Sequence, residues 1–429
     1  MLDLIDGRDQ MTPVHIPRPR PPSGAPDPAG AVAAIVDDVR LRGDEAVIEH
    51  TAKLDGARLT ADRLRVDEAD IAKARSLVRP ELIDALEVSA ERLRRTCEHQ
   101  KPAGWLERPT DDELVGELIR PLRRAGVYVP GGRAAYPSTV IMAAVPAQVA
   151  GVGSIAVATP PAPNGEVSEA VLAACAVMGI TEVYRIGGAQ AIAALAYGTT
   201  TVRPVEKIVG PGNVYVTLAK RLVAGWVGVD TDAGPTEIAI VADGDADPEV
   251  IAADLIAQAE HGPLGTHALV TWDPDLVERV NAVLEVEVAR HERLDDVENA
   301  LTEGGCAVLV RDKAHAFESV NAFAPEHLEL LFEDAEDSLD DVVNAGAVFV
   351  GPFSPVPIGD YVGGTNHILP SGGSARYSSG LGVPDFCKRI YVSGLEAEAL
   401  KRLAPHVDAL AEAEGLLGHA RAVAKRLER

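Results

Sequence analysis

Two segments in the middle of the chain carry residue types that bind cofactors. Gly210-Pro211-Gly212-Asn213 follows a predicted strand and precedes a predicted helix, whose free backbone N–H groups favour an anion. Further along, Gln258 and His261 are three residues apart at the end of another predicted helix and therefore share one face of it. A phosphate-type loop and a possible metal-ligand pair so close in sequence suggest a cofactor enzyme.

Two more glycine turns occupy similar positions. Gly187-Gly188-Ala189-Gln190 and Tyr128-Val129-Pro130-Gly131-Gly132 each come after a short apolar segment. No GxGxxG motif follows a strand, so the usual dinucleotide fingerprint is missing. Each turn alone is equally consistent with an ordinary strand-to-helix connection, but three of them in one half of the chain favour a nucleotide.

A metal site would need ligands from several segments. Zinc in proteins takes three or four N, O or S ligands, and Asp360, His367 and His419 are available in addition to Gln258 and His261. For the pair alone, a histidine that satisfies helix carbonyls and the helix dipole is the favoured interpretation. The HExxH motif of zinc proteases is absent.

Glu326 and His327 place a carboxylate beside an imidazole after an apolar turn. In a loop both side chains can reach one substrate and act as an acid–base pair near neutral pH. In a plain helix, neighbouring side chains diverge by about 100°. The pair alone is therefore a weak signal.

The elements that must position these residues follow an alternating pattern. Short β-branched strands and Ala-rich helices alternate twice, once before Gly225 and again after Gly234. This rhythm predicts parallel sheets with helices on both faces. The expected fold is α/β, with two Rossmann-like parallel-sheet domains of incomplete type, a short Pro- and Arg-rich N-terminal arm and a helical C-terminal tail domain.

Composition excludes several classes of protein. The 429 residues are 47% hydrophobic, which is enough for two or three packed domains. The formal charge is 40 − 65 = −25 and no Lys/Arg run occurs, which argues against nucleic-acid binding and against an anionic membrane. Scattered cysteines without a CxxC pair, no signal-peptide pattern and no long apolar run predict a soluble, cytoplasmic protein. The cysteines are Cys97, Cys175, Cys306 and Cys387.

Together these segments resemble the histidinol dehydrogenase family over nearly the whole chain, from about Arg42 onward. The resemblance is specific because many long motifs match in order. The matching segments are 128–138, 187–193, 210–216, 233–237, 258–261, 324–329, 359–361, 366–367 and 378–381.

The resemblance implies a zinc-dependent homodimer with shared active sites. It would oxidise L-histidinol to L-histidine through L-histidinaldehyde with two NAD molecules, the last step of histidine biosynthesis. By position, Glu326 and His327 would be catalytic. The NAD contacts would be Tyr128, Gln190 and Asn213; the zinc ligands would be Gln258, His261, Asp360 and His419; and Thr236, His367 and Glu414 would hold the substrate together with His327 and the zinc ligands. Family members place the tail of one subunit in the active site of the other, so Glu414 and His419 would act across the interface.

The expected domain boundaries follow from the same resemblance. They are an arm at 1–24, a discontinuous first α/β domain at 25–127 and 236–380, a second, NAD-contacting α/β domain at 128–235, and a helical domain at 381–429 that reaches the partner subunit.

The sequence departs from the family pattern in a few places and leaves rivals open. Thr236 stands where many members have Ser, Gly262 where Asp is common, and the loop 363–365 is varied. A relative on the same scaffold could oxidise another polar alcohol, such as a sulfonated diol, but His367 and Glu414 suit histidinol. A zinc hydrolase is disfavoured by the three glycine turns, and a non-catalytic scaffold by the full set of titratable residues.

Overall fold

The structure is a computed structural model that describes residues 1–20, 27–131, 135–230 and 234–428. The end of the expected arm, Gly132-Arg133-Ala134 of one glycine turn, and Ala233 lie outside the described residues. The strands are β1 (Asp3–Asp6), β2 (Trp105–Glu107), β3 (Glu113–Pro121), β4 (Arg124–Tyr128), β5 (Ser154–Thr159), β6 (Val183–Arg185), β7 (Lys207–Val209), β8 (Gly228–Val229), β9 (Glu237–Ala242), β10 (Thr266–Thr271), β11 (Gly305–Leu309), β12 (His327–Leu331), β13 (Ala347–Val350) and β14 (Cys387–Leu395). The α-helices are α1 (Ala29–Arg42), α2 (Asp44–Leu54), α3 (Glu68–Ala74), α4 (Pro80–His99), α5 (Pro137–Ala150), α6 (Glu169–Val177), α7 (Gly188–Tyr197), α8 (Val214–Val223), α9 (Pro248–Ala259), α10 (Pro274–Val288), α11 (Leu294–Gly304), α12 (Lys313–Phe323), α13 (Val356–Tyr361), α14 (Ala397–Ala413) and α15 (Leu417–Leu427).

The first large sheet has five parallel strands in the order β6-β5-β4-β7-β8. Its central strand β4 is buried along its whole length. Helices cover both faces, and α5 is apolar on every side because it is enclosed by other elements. This is the predicted parallel α/β layer.

The second large sheet has six parallel strands in the order β1-β11-β10-β9-β12-β13. Residues alternate between its faces, as strand geometry requires. Ile238, Ile240 and Leu269 pack with helices α9 to α11, whereas Ala239 and Val270 pack with α12. Helices therefore cover this sheet on both sides as well, and the expected α/β fold class is confirmed.

A small antiparallel sheet, in the order β14-β3-β2, precedes the C-terminal helices. Helix α15 packs chiefly on α14, and none of the residues of α15, all of them within the described part, is buried. Among the described residues, no helix combines the length and apolar character needed to cross a membrane.

Two features differ from the sequence-based expectations. Residues 3–6 of the expected arm form the edge strand β1, and Val14 and Ile16 are buried beneath the sheet. A four-residue strand with two charged ends is too short for its periodicity to be recognised.

The second difference concerns the segment 25–127, which we expected to share a domain with 236–380. Its helices α1, α2 and α4 pack in the cores of the five-stranded sheet, and its last strand, β4, is the centre of that sheet. Helical periodicity shows which face of a helix is apolar but not which sheet the face packs on.

Candidate active site

The three predicted NAD contacts line one cavity of about 1180 Å³. Tyr128 ends β4, Gln190 lies in the first turn of α7 after β6, and Asn213 precedes α8 after β7. The cavity therefore lies at the carboxyl ends of the strands of the five-stranded sheet, where open α/β sheets bind ligands. Its size is sufficient for a large organic ligand.

Internal hydrogen bonds position two of these side chains. The backbone N–H of Gly188 donates to the Tyr128 hydroxyl at 3.1 Å, and burial raises the pKa of Tyr128 to about 12. The Gln190 amide donates to Asp55 at 3.3 Å, and burial raises the pKa of Asp55 to about 6. The Gln190 Oε1 is buried without a partner among the described residues, so it is an acceptor available to a ligand.

The Gly210 turn is organised by the protein itself. Gly210 has a φ of 118°, and a Cβ there would lie 2.1 Å from the Tyr128 carbonyl oxygen, so only glycine fits. Its N–H donates to Asp230 at 2.6 Å, and its carbonyl accepts from the ammonium of Lys220 at 3.0 Å. Lys220 and Asp230 also form a buried ion pair.

The side chain of Asn213 binds two of the backbone N–H groups at the start of α8. The Asn213 side-chain oxygen accepts from the N–H groups of Tyr215 and Val216 at 3.1 and 3.2 Å. This is an ordinary N-cap, so these two N–H groups are not free for a phosphate. The turn therefore differs from the open anion cradle expected from its sequence, and the side-chain amide N–H₂ of Asn213 remains as a donor toward the cavity.

A second group of predicted residues meets at the amino end of the six-stranded sheet. The Glu326 carboxylate accepts from the Thr236 hydroxyl at 2.9 Å and from the Glu237 N–H at 3.0 Å. The Gln258 amide N–H₂ donates to the same Thr236 hydroxyl. Gln258, Thr236 and Glu326 thus form one hydrogen-bonded chain, which orients the Gln258 Oε1 away from Thr236.

His327 lies beside this chain, at the first position of β12. Its Nδ1 is 3.0 Å from the Glu237 carbonyl oxygen and 3.2 Å from the Gln258 amide nitrogen. Because a carbonyl can only accept, the tautomer with the proton on Nδ1 satisfies Glu237 and leaves Nε2 as the basic nitrogen. Burial lowers the pKa of His327, so the imidazole is neutral and able to accept a proton.

Three further predicted residues surround the pair. Asp360 ends α13 with its neighbour Tyr361, and burial raises its pKa while the charges of His327 and His261 lower it. The Asp360 carbonyl accepts from the His367 Nδ1 at 2.9 Å. Burial lowers the pKa of His367 to about 4, and His327 and His261 act in the same direction. These residues are therefore close enough to act on one another electrostatically.

The carboxyl group of Glu326 is also strongly perturbed by its burial. Burial raises its pKa to about 8, with smaller contributions in the same direction from Glu237 and Asp360. The hydrogen bonds from Thr236 and from the Glu237 N–H favour the carboxylate and oppose the increase. A carboxyl group that titrates near neutrality is suited to proton transfer.

Two of the predicted zinc ligands, His261 and Asp360, interact electrostatically with His327. Within the described residues of one chain, no group of three or more His, Cys, Asp and Glu side chains could hold a metal. Among the predicted ligands, His261 and Asp360 interact electrostatically, and Gln258 binds Thr236 through its amide nitrogen, so its amide oxygen is the atom it could offer to a metal. Nitrogen and oxygen donors of these kinds are those that zinc takes.

Glu414 and His419 are the predicted residues that one chain does not bring to this cluster, as far as the described residues show. Glu414 ends α14, and His419 lies in α15, which packs chiefly on α14. Their backbone hydrogen bonds are local, to Leu410 and Leu416.

Sequence reasoning gave no role to some residues near the pair. Glu237 supplies both backbone groups that hold Glu326 and His327. Asp254 and Glu329 form a buried carboxyl pair beside them, and burial raises the pKa of Glu329 to about 9. The period-2 pattern of β12 could have indicated Glu329, because it lies on the same face of the strand as His327.

Comparison with known proteins identifies the family. The profile of the family described as Histidinol dehydrogenase matches residues 19–427. The chain belongs to the histidinol dehydrogenase family. It is 48% identical to the histidinol dehydrogenase of Synechococcus sp. over 92% of this chain and 91% of that one, and 44% identical to that of Methanothermobacter thermautotrophicus over 94% of both. The crystal structure of the histidinol dehydrogenase from Elizabethkingia anophelis superposes with a TM-score of 0.91 at 34% identity, covering 100% of this chain and 98% of that one.

The likeness to these histidinol dehydrogenases includes both sheets and the C-terminal helices, because the coverage is nearly complete in each direction. The Gly262 departure lies at a φ of 114° with open space around it. An aspartate there would have to adopt a backbone conformation that residues with a Cβ rarely adopt, so this turn favours glycine.

The buried Lys220–Asp230 pair generates a stability prediction for the Gly210 turn. Lys220→Met leaves the Asp230 carboxylate buried and unpaired, and breaking such a pair costs roughly 3–5 kcal/mol. We expect the urea midpoint to fall accordingly. The double variant Lys220→Met/Asp230→Asn is the matched control and should recover a large part of the loss. A double variant as unstable as the single one would show that the ion pair is not the cause.

Proposed function

We propose that this chain oxidises L-histidinol to L-histidine through L-histidinaldehyde, using two NAD molecules in succession, as the last step of histidine biosynthesis in the cytoplasm. The observation that carries the proposal is the hydrogen-bonded chain of Gln258, Thr236 and Glu326, with His327 held beside it by the Glu237 carbonyl. It combines a neutral imidazole with a carboxyl group that titrates near neutrality, in a member of this family.

The first oxidation needs a base. The alcohol O–H proton goes to His327 Nε2, and the hydride from the same carbon goes to NAD, giving the aldehyde and NADH. The Glu237 carbonyl fixes the ring by accepting from Nδ1. The lowered pKa of His327 keeps the acceptor nitrogen unprotonated before the step.

The second oxidation needs water. Glu326 as a carboxylate takes a proton from the water that adds to the aldehyde carbon, while His327 returns the proton from the first step to the aldehyde oxygen, giving the hydrate and a neutral His327. His327 then takes an O–H proton while the hydride goes to a second NAD, giving the acid. Holding the aldehyde in the site matters because it is reactive, and a closed site limits its escape.

A zinc ion is part of the proposal. Gln258, His261 and Asp360 of one chain and His419 of a second chain would hold it, and it would supply a template for the amino and imidazole nitrogens of the substrate. The burial of Asp360 supports this: it raises the pKa of Asp360 more than His327 and His261 lower it, and a nearby cation would stabilise the buried carboxylate.

We also propose a homodimer with shared sites. Helix α15 has no buried residue among its described positions, and Leu410 and Leu417 are 65% and 53% exposed. Tyr391 on the small sheet is 82% exposed. Apolar side chains exposed together on the C-terminal helices and the small sheet indicate a protein interface. Through this interface, Glu414 and His419 would enter the active site of the partner subunit.

Stoichiometry tests the two-step reaction. With zinc, NAD and L-histidinol, we expect about two NADH per histidinol consumed, measured by absorbance with histidine quantified in parallel, because the proposed hydrate is oxidised again at the same site. One NADH per substrate with released aldehyde would refute the second step. Turnover of a sulfonated diol but not of histidinol would favour the alternative dehydrogenase on this scaffold.

The raised pKa of Glu326 predicts a pH limb. The carboxylate is the active form, so the rate of histidinaldehyde oxidation should rise with pH as Glu326 loses its proton. The midpoint of this rise should lie above the ordinary carboxyl range, at a pH no higher than about 8. Glu326→Gln should lower the rate of this half-reaction by about 10²–10⁴-fold and remove its rise with pH. Oxidation of histidinol to the aldehyde serves as the internal control, and an unchanged limb in the variant would assign the titration to another group.

Mixed dimers test the shared site. His419→Ala and Glu326→Ala homodimers should each be nearly inactive, because every site lacks one essential group. In a heterodimer of the two variants one site keeps both residues, so mixing after reversible dissociation should restore activity, measured as NADH formation. Wild-type dimers taken through the same exchange are the control. No gain on mixing, with heterodimers verified by mass, would contradict the shared site.

A further inference from the structure

The catalytic candidates share one backbone support. Glu237, the first residue of β9, donates its N–H to Glu326 at 3.0 Å and presents its carbonyl to the His327 Nδ1 at 3.0 Å. A shift at this single residue would therefore displace both groups.

The side chain of Glu237 is buried and bound by the N-terminal segment. Arg18 donates from Nε to one carboxylate oxygen at 2.5 Å and from Nη2 to the other at 3.1 Å. Glu237 is only 3% exposed. A two-point arginine–carboxylate pair fixes orientation as well as distance, which a single-point contact does not.

The same guanidinium also binds the turn that leads to Glu326. Its Nη2 donates to the Phe323 carbonyl at 2.7 Å, and its Cζ lies 4.0 Å from the centre of the Phe323 ring. Phe323 ends α12, and Ala324 follows in a left-handed conformation before Glu326. Arg18 thus connects the start of β9 to the segment that presents Glu326.

We propose that Arg18 is a positioning residue for the catalytic pair: through Glu237 and Phe323 it holds the two segments that orient Glu326 and His327. The proposal rests on the proposed function of these two residues. Arg18 lies one residue before the segment that matches the family profile. Its guanidinium binds Glu237 and Phe323 rather than Glu326 or His327. Its effect is transmitted through the backbone.

Kinetics of Arg18→Met test the proposal in the full-length protein. Because misplacement of a reacting group by about 1 Å can cost 10²-fold, kcat per folded molecule should fall by about that factor while KM for NAD stays at the wild-type value. Both oxidation steps should slow together, unlike in Glu326→Gln. Arg18→Lys keeps the charge without the fork and should recover a part of kcat. Arg20→Met, at an exposed position in the same segment, is the matched control and should behave as wild type.

Failure of the Arg18 proposal can be distinguished from failure of the proposed function. An Arg18→Met protein that is folded by circular dichroism and has the wild-type kcat would overturn the proposal. If that variant does not fold, Glu237→Gln keeps the backbone of β9 and weakens only the pair; a wild-type kcat there would equally overturn it. A wild-type protein that does not oxidise histidinol would refute the proposed function instead.

Discussion

The candidate site depends on the parallel pairing of β9 with β12. This register places His327 opposite Ile238, so that Glu326 lies beside Thr236 and Glu237 although ninety residues of sequence separate them. The backbone groups at the start of β9 then satisfy both side chains of the pair. Without these backbone contacts, Glu326 and His327 would have the chemistry of an ordinary Glu-His pair on a protein surface.

The two groups of candidate residues lie at opposite ends of parallel strands. The NAD candidates follow the carboxyl ends of β4, β6 and β7, whereas the acid–base pair begins β12 and Gln258 lies in the last turn of α9. A ligand that spans them must bridge two sheets. The contact between Thr139 of α5 and His367, at 3.4 Å, joins a helix of the five-stranded sheet's core to the loop that holds His367.

Sequence alone indicated much of this arrangement, for physical reasons that are local. The Gly187 and Gly210 turns and the alternation of strands and helices depend on near neighbours in the chain, and the structure contains them. The resemblance to the family supplied the residues of the site. The packing of α1, α2 and α4, the use of Asn213 as a cap and the long-range pair of Arg18 with Glu237 depend on tertiary contacts that no local pattern encodes.

Thr236 has a consequence for how rigid the site is before any ligand binds. Its hydroxyl accepts from Gln258 and donates to Glu326, and a serine could offer the same oxygen. The extra methyl group of threonine restricts rotation about χ1. A hydroxyl that is already confined to one orientation loses less rotational entropy when the network closes around a substrate, so the side chain that departs from the family pattern makes this network more pre-organised.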